Sequence, residues 1–353
     1  MKKALIAMSG GVDSSVTAYL MIQQGYDCTG ITFRMFDKTD KIFCFNNNQN
    51  TEKDIEDARN VCEKLGIPFF AVDASEPFRT HVINNFIKTY EKGGTPNPCI
   101  ECNRYIKFTL LNDFAEKNGF DVIATGHYAK IGFENGRYFI KKSDDLKKDQ
   151  SYVLYPLTQQ QLKKVRFPLA DITKELAREI AEKNGLITAH KSDSQDICFI
   201  PDGDYAGFIK RSTGKKYPSG KFIDTNGKIL GAHNGIINYT IGQRKGLGIA
   251  LGAPAYVKSK DIRTNTVTLS SNDELFENEI IIEKFNFMAV DSFDDTKCIT
   301  KIRYAHQGAE STASQIDEHT VKIVFDSPQR APAKGQSAVL YDGDRVLGGG
   351  IIK

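Results

Sequence analysis

Three cysteines carry the first chemical signal. Cys99 and Cys102 form a Cys-x-x-Cys pair in PNPCIECN, just after a proline-containing turn, and Cys198 stands in DICFI. Thiols in such a pattern serve as metal ligands, as a redox pair, or as carriers of sulfur. The residues after Cys102 read as a helix, Asn103–Lys117, so Cys102 is expected at its opening. There the positive end of the helix lowers a thiol pKa and favours thiolate. Cys198, between Ile and Phe, reads locally as core, as do Cys28 in a strand pattern and Cys62 in a helical one. No second Cys-x-x-Cys completes a closed zinc site, and seven cysteines in 353 residues do not suggest a disulfide framework.

The second signal is MSGGVDSS, residues 8–15, which joins a first strand to a first helix. Gly10 and Gly11 permit a tight turn in which backbone N–H groups approach an anion, and the helix start adds its positive end. Ser9, Ser14 and Ser15 add hydroxyls. The loop lacks the Gly-Lys-Ser/Thr ending of a Walker A motif and is not G-x-G-x-x-G. The full S-G-G-x-D-S resembles the pyrophosphatase-type loop of ATP-dependent adenylating enzymes. That resemblance implies ATP cleaved to AMP and pyrophosphate, with Asp13 at the Mg2+–pyrophosphate end.

These residues need a scaffold. KALIAM, CTGITFRMF, PFFAVD and DVIATGHYA read as strands. Between them Ser14–Gln24, Thr51–Leu65, Phe78–Lys92 and Asn103–Lys117 read as helices. This alternation predicts an α/β fold with a doubly wound parallel sheet whose ligands sit at the carboxyl ends of the strands. Beyond about residue 205 glycine becomes frequent and long helical patterns vanish. VTLS, EIIIEKF, KIRYA, VKIVF and SAVLYDG then read as strands of a C-terminal all-β barrel or sandwich. The expected domains are 1–205 (ATP-binding and catalytic), 206–272 (central, basic) and 273–353 (C-terminal barrel).

The charge is uneven: Asp204–Arg263 holds eleven Lys and Arg against three Asp, a local +8 in a chain of net +3, which suits a polyanion. No apolar run approaches the ~18 residues of a membrane span. The apolar start MKKALIAM ends in the glycine turn and reads as a strand, not a leader, so no membrane association and a cytoplasmic location are expected.

Taken in order, the glycine loop, TPNPxxxCN…IKF (95–108), ATGHYA (124–129), KDQSYVLY (148–155), SDSQDICFIP (192–201), IGQRKGLG (241–248), RY (303–304) and the terminal GQSAVLYDGDRVLGGGII resemble the tRNA-specific 2-thiouridylases along essentially the whole chain. The resemblance implies an adenine nucleotide alpha hydrolase-like first domain and ATP-dependent conversion of the tRNA wobble uridine to 2-thiouridine. Adenylation makes O2 of the base a leaving group that a sulfur nucleophile displaces.

By resemblance Cys102 is the nucleophile and Cys198 carries a persulfide. Ala7, Met8, Ser9, Gly10, Gly11, Val12, Asp13, Ser14, Phe33 and Gly126 line the ATP site. Asn97, Pro98 and Cys99 face the target base. His127, Lys148, Asp149, Gln150, Arg303, Tyr304 and Gln336 touch tRNA. The implied partners are tRNA and a sulfur donor such as a cysteine desulfurase or relay protein, with the free protein a monomer.

The chain departs from the family at Cys99, where many members carry an acidic residue. Two readings of the thiols stay open beside a less favoured zinc site. In one, Cys102 and Cys198 perform persulfide and disulfide chemistry. In the other, Cys99, Cys102 and Cys198 hold an iron–sulfur cluster with one iron free to bind the transferred sulfur. Two other functions compete: a different adenylating ligase, such as a tRNA lysidine or amidotransferase-type synthetase, and a metal-stabilised RNA-binding module without catalysis.

Overall fold

The computed structural model describes residues 1–36, 49–189, 191 and 197–353. Cys44 and residues 192–196 of SDSQDICFIP lie outside the described residues. In chain order the first part runs β1 (Lys3–Ala7), α1 (Val12–Gln23), β2 (Asp27–Arg34), α2 (Gln49–Leu65), β3 (Phe69–Asp73) and α3 (Ser75–Phe78). A π-type stretch (Arg79–Ile83) leads to α4 (Asn84–Glu91). Then come α5 (Pro98–Glu101), a second π-type stretch (Cys102–Phe108), α6 (Thr109–Lys117) and β4 (Val122–Ala124). A hairpin, β5 (Lys130–Glu134) and β6 (Arg137–Lys141), precedes α7 (Gln159–Lys164), β7 (Val165–Arg166) and α8 (Lys174–Lys183).

The expected parallel sheet is present, in the order β3-β2-β1-β4-β7. β1 lies between two strands, and its Ala4, Leu5 and Ile6 are fully buried. A continuous apolar run, rather than alternation, is what a strand covered on both faces requires. α1, α2 and α8 supply the covering side chains Val16, Met21, Ala58, Val61 and Ala177.

Contacts divide the chain into two compact units. The first comprises Met1–Val82, Cys99–Pro201 and Asp344–Leu347, and the second Ile83–Pro98, Asp202–Gly343 and Gly348–Lys353. Helix α4 therefore belongs to the second unit. There Tyr90 stacks on Tyr205 with ring centroids 4.8 Å apart, and Glu91 accepts from the Tyr217 hydroxyl at 2.6 Å.

The second unit continues with α9 (Tyr205–Thr213), then β8 (Gly220–Ile223), β9 (Ile229–His233), β10 (Tyr256–Asp261) and β11 (Thr266–Ser270), a sheet ordered β10-β11-β8-β9. Six further strands follow: β12 (Phe276–Phe287), β13 (Thr296–Lys301), β14 (Ala309–Asp317), β15 (Thr320–Arg330), β16 (Ser337–Asp342) and β17 (Arg345–Ile352). Their order, β12-β15-β14-β13-β16-β17, closes through a β12–β17 pairing into a barrel, which removes the open edges of a sheet.

Four expectations need correction. DVIATGHYA forms a strand over Val122–Ala124 alone, because the chain turns at Thr125. The helix expected from Asn103 is already under way at Pro98. KIRYA contributes Lys301 to the end of β13, after which Arg303 and Tyr304 turn away. The segment after residue 205 is not free of helix: α9 forms there, capped by Asp204, whose carboxylate accepts from Gly207 N at 2.8 Å, and stopped by Gly214 in the left-handed region.

Ile6→Ala should lower stability by about 2–5 kcal/mol, as deletions of fully buried aliphatic side chains do. Urea unfolding followed by circular dichroism measures this, and an unchanged midpoint would remove Ile6 from the load of the first core.

Candidate functional site

The glycine loop sits at the carboxyl end of β1, as the α/β topology requires. Gly10 adopts φ +70°, and a Cβ there would run into the Asp54 carbonyl, so the tight turn demands glycine. Ser14 Oγ donates to Gly11 O at 3.0 Å and accepts from Ser9 N at 3.1 Å, which bends residues 9–14 into a closed loop. Ser15 Oγ donates to the same Gly11 carbonyl at 2.9 Å and accepts from Thr188 Oγ1 at 2.9 Å. Thr32 Oγ1 donates to Met8 O at 2.6 Å and fixes the strand end beside Phe33.

Three side chains that the sequence did not single out complete this loop. Lys174, at the start of α8 and 5% exposed, donates to both carboxylate oxygens of Asp13 at 2.8 Å. Tyr128 donates its hydroxyl to Asp13 Oδ1, also at 2.8 Å. Lys191 donates to Gly10 O at 2.9 Å and pairs with Asp54 at 2.6 Å and Asp57 at 2.8 Å. Burial works against the charge of Lys191, but the two carboxylates prevail and raise its pKa. Gly126 is needed for contact: a Cβ there would stand 2.9 Å from the Asp13 carbonyl carbon and 3.0 Å from Ser14 N. Thus the ATGHY turn, α1 and α8 meet at Asp13.

The three thiols fall in the same unit. Cys99 is exposed, on the first turn of the helical run; Cys102 is buried on the next turn; Cys198 presents surface to solvent. Charges on Cys102 and Cys99 both act on Cys198, and Cys99 acts on Cys102, so folding brings residues 96 positions apart into one electrostatic neighbourhood.

The expectation of a helix-activated thiolate at Cys102 is not met in this conformation. Helix begins four residues earlier, at Pro98, and desolvation dominates, pushing the Cys102 thiol up to about 11. Lost hydration is also the largest cause at Cys198, pushed up to about 12, with Cys102 and Cys99 adding to it. The opposing charge is Lys107, which lowers the pKa of both thiols. Lys107 lies in the IKF triplet, but nothing in the sequence assigned it this place.

Among the described residues, no three His, Cys, Asp or Glu side chains are grouped as ligands of a metal ion. In this conformation the cysteines are therefore not arranged as the ligand set that a cluster or zinc needs.

The remaining candidates are placed as follows. His127 is buried between Phe108 and Phe167, its Nδ1 is 2.8 Å from Thr125 Oγ1, and desolvation, then Lys107, drives its pKa well below the ordinary value. Asp149 accepts from Ser151 Oγ at 2.7 Å, and Gln150 Oε1 accepts from Tyr128 N at 3.0 Å, which ties the KDQSY turn to the ATGHY turn. Lys148 is half-buried in that turn. Arg303 and Tyr304 are exposed in the turn after β13. Asn97 is half-buried, Pro98 is buried, and Gln336 bonds to the backbone just before them. Part of the basic segment is spent internally: Lys215 pairs with Glu91 at 2.8 Å, and desolvation lowers Lys260, beside the Tyr90 ring, to about 8.

Comparison with known proteins bears on this arrangement. Residues 2–202 match a family model described as a tRNA methyl transferase HUP domain, and 206–271 one described as a tRNA methyl transferase PRC-barrel domain. Residues 277–352 match an aminomethyltransferase beta-barrel domain. A protein named tRNA-specific 2-thiouridylase MnmA from Lachnoclostridium phytofermentans is 48% identical over 362 residues, spanning 100% of this chain and 99% of that one. Proteins of the same name from Clostridium acetobutylicum and Clostridioides difficile are 49% and 47% identical, each over 100% of this chain and 99% and 98% of their own.

The raised thiol pKa values predict how the cysteines react. Alkylation of Cys102 by iodoacetamide should climb about tenfold per pH unit up to about pH 10, since only the thiolate attacks. Exposed Cys99 should be labelled first. Lys107→Met should slow labelling of Cys102 at fixed pH, as read by peptide mass spectrometry; an unchanged rate would show that Lys107 does not act on the thiol.

Proposed function

The chain belongs to the family of tRNA-specific 2-thiouridylases, and on that premise we propose that it is an ATP-dependent sulfurtransferase acting on O2 of the tRNA wobble uridine. The observation that carries the reading is the full-length likeness to proteins named tRNA-specific 2-thiouridylase, together with the place of Cys99, Cys102 and Cys198 in the unit that also holds the glycine loop.

In the first step uridine O2 attacks the α-phosphorus of ATP, pyrophosphate leaves, and N3 of the base gives up its proton. The backbone N–H groups of Gly10 and Gly11 and the start of α1 would take the phosphates, that of Ser9 being spent on Ser14 Oγ. Asp13 is the loop carboxylate that can hold Mg2+, which when bound neutralises charge on the pyrophosphate. In the conformation described, Asp13 is paired with Lys174.

In the second step Cys198 bears a persulfide. Cys102 thiolate attacks the inner sulfur, a Cys102–Cys198 disulfide forms, and hydrosulfide leaves. Hydrosulfide adds to C2, the C2–O2 bond breaks, AMP departs with O2, and N3 regains a proton. A dithiol reductant returns the two electrons that reopen the disulfide, and a desulfurase or relay protein reloads Cys198. Both cysteines are free thiols here, the resting state that this cycle needs. Lys107 is the charge that favours their ionisation.

Asn97, Pro98 and Cys99 serve the flipped base. Exposed Arg303 and Tyr304, Lys148 with Asp149 and Gln150, His127 and the basic stretch 206–272 serve tRNA, with salt-dependent affinity. The enzyme acts as a cytoplasmic monomer. The second reading, a cluster on Cys99, Cys102 and Cys198, is favoured by the grouping of the thiols but not by their arrangement, and no step above passes through it.

Cys102→Ser should abolish thiolation yet leave tRNA affinity nearly unchanged; retained 2-thiouridine, read by nucleoside mass spectrometry, removes Cys102 from the mechanism. Iron and acid-labile sulfide measured on anaerobically purified protein decide between the thiol readings. Iron-free protein that thiolates supports the persulfide route, and bound iron lost in Cys99→Ala supports the cluster.

Asp13→Ala should slow pyrophosphate release. Removing Asp13 also takes its carboxylate from the buried Lys174 ammonium, so Asp13→Ala/Lys174→Met is the control. If that folded double variant releases pyrophosphate at the wild-type rate, the loop assignment fails.

A further inference from the structure

The TPNP turn, which precedes Cys99, is held from one direction. Gln336 Nε2 donates to Thr95 O at 3.0 Å and to Pro96 O at 3.2 Å. Thr95 N in turn donates to Lys334 O at 2.8 Å. The two segments are more than 230 positions apart in sequence but lie in the same compact unit. They approach as backbones: a Cβ at Gly335, φ +88°, would stand 2.8 Å from Thr89 Cγ2 and 3.2 Å from Thr95 N, and one at Gly94 would stand 3.0 Å from Lys334 O. Such contact needs glycine on both sides.

The 334–336 turn is itself pinned by the last strand of the barrel. Gly335 N donates to Ile352 O at 2.9 Å, and Ile352 N donates to Gln336 O at 2.8 Å. By contrast the Thr95 hydroxyl is buried and has no hydrogen-bond partner among the described residues. The turn is thus fixed through its carbonyls and one amide, all to residues 334–336, and not through its own side chains.

We propose that Gln336 is a positioning residue, and that the Lys334–Gly335–Gln336 turn of the C-terminal barrel sets the place of the base-facing turn through these backbone bonds. This rests on the reading that Asn97 and Pro98 serve the target base. The carboxamide nitrogen of Gln336 is committed to two carbonyls, so its hold on the turn is a role beside the tRNA contact that the resemblance implies for it. A displacement of about 1 Å at a reacting group costs on the order of 100-fold in rate, which is the scale on which a clamp of three hydrogen bonds matters.

The test compares Gln336→Glu, which keeps the shape but sets a carboxylate against two carbonyls, with Gln336→Lys, which keeps a donor. In the free enzyme, amide hydrogen exchange at Thr95 should quicken at least about tenfold in Gln336→Glu and return toward wild type in Gln336→Lys. At saturating tRNA, Gln336→Glu should lose about tenfold or more in kcat for thiolation, with the tRNA Kd within about threefold. Unchanged exchange at Thr95 overturns the clamp. Faster exchange with unchanged kcat overturns its role in positioning. A Kd weakened about tenfold with kcat intact makes Gln336 a tRNA contact and also overturns the proposal. Asn97→Ala separates the underlying reading: unchanged kcat there would remove the turn from base recognition, while the exchange data still decide whether Gln336 holds it.

Discussion

A single carboxylate organises the loop end of the parallel sheet. Asp13 opens α1, yet both of its oxygens are taken by Lys174 from α8, and one also by Tyr128 from the turn after β4. A buried ammonium cannot remain without a counter-charge. The ion pair therefore fixes α8 against α1, and Gly126 lets the intervening turn close on the same spot. The glycine loop is shaped by this contact as much as by Gly10 and Gly11.

The thiols pose the opposite problem. Burial pushes the Cys102 thiol up to about 11, and lost hydration around its sulfur pushes Cys198 up to about 12 although that residue presents surface to solvent. Desolvation outweighs the helix, because Cys102 lies a turn inside it. Lys107 provides the counterweight among neighbouring charges. A thiol kept protonated until its surroundings change is protected from oxidation and from stray electrophiles.

The parallel sheet and the loop were legible because β1 is an uninterrupted apolar run and the glycine turn follows it directly. The barrel was legible from short alternating segments. The helix at Tyr205–Thr213 was not, since nine residues offer barely two turns of periodicity and the surrounding glycines dominate the texture. Cys102 was misplaced in its helix because Pro98 is a good first helical residue as well as a turn former. Lys174 and Lys191 were illegible for a different reason. Their partners are 161 and 134–181 positions away, and no local spacing encodes a contact made by the closing of a sheet.

The division of the chain between Pro98 and Cys99 follows from the same physics. Everything up to Pro98 in that stretch is secured by α4, whose Phe86 and Tyr90 pack on Phe208 and Tyr205, and by the barrel turn at Gln336. Everything from Cys99 onward is secured by the parallel-sheet unit, where Asn103 Nδ2 donates to Val153 O at 3.0 Å. The glycine loop belongs to that unit, whereas exposed Arg303 and Tyr304 belong to the other. At that peptide bond the chain passes into the unit that holds the glycine loop and the three thiols, and it passes back at Pro201–Asp202, just after Cys198.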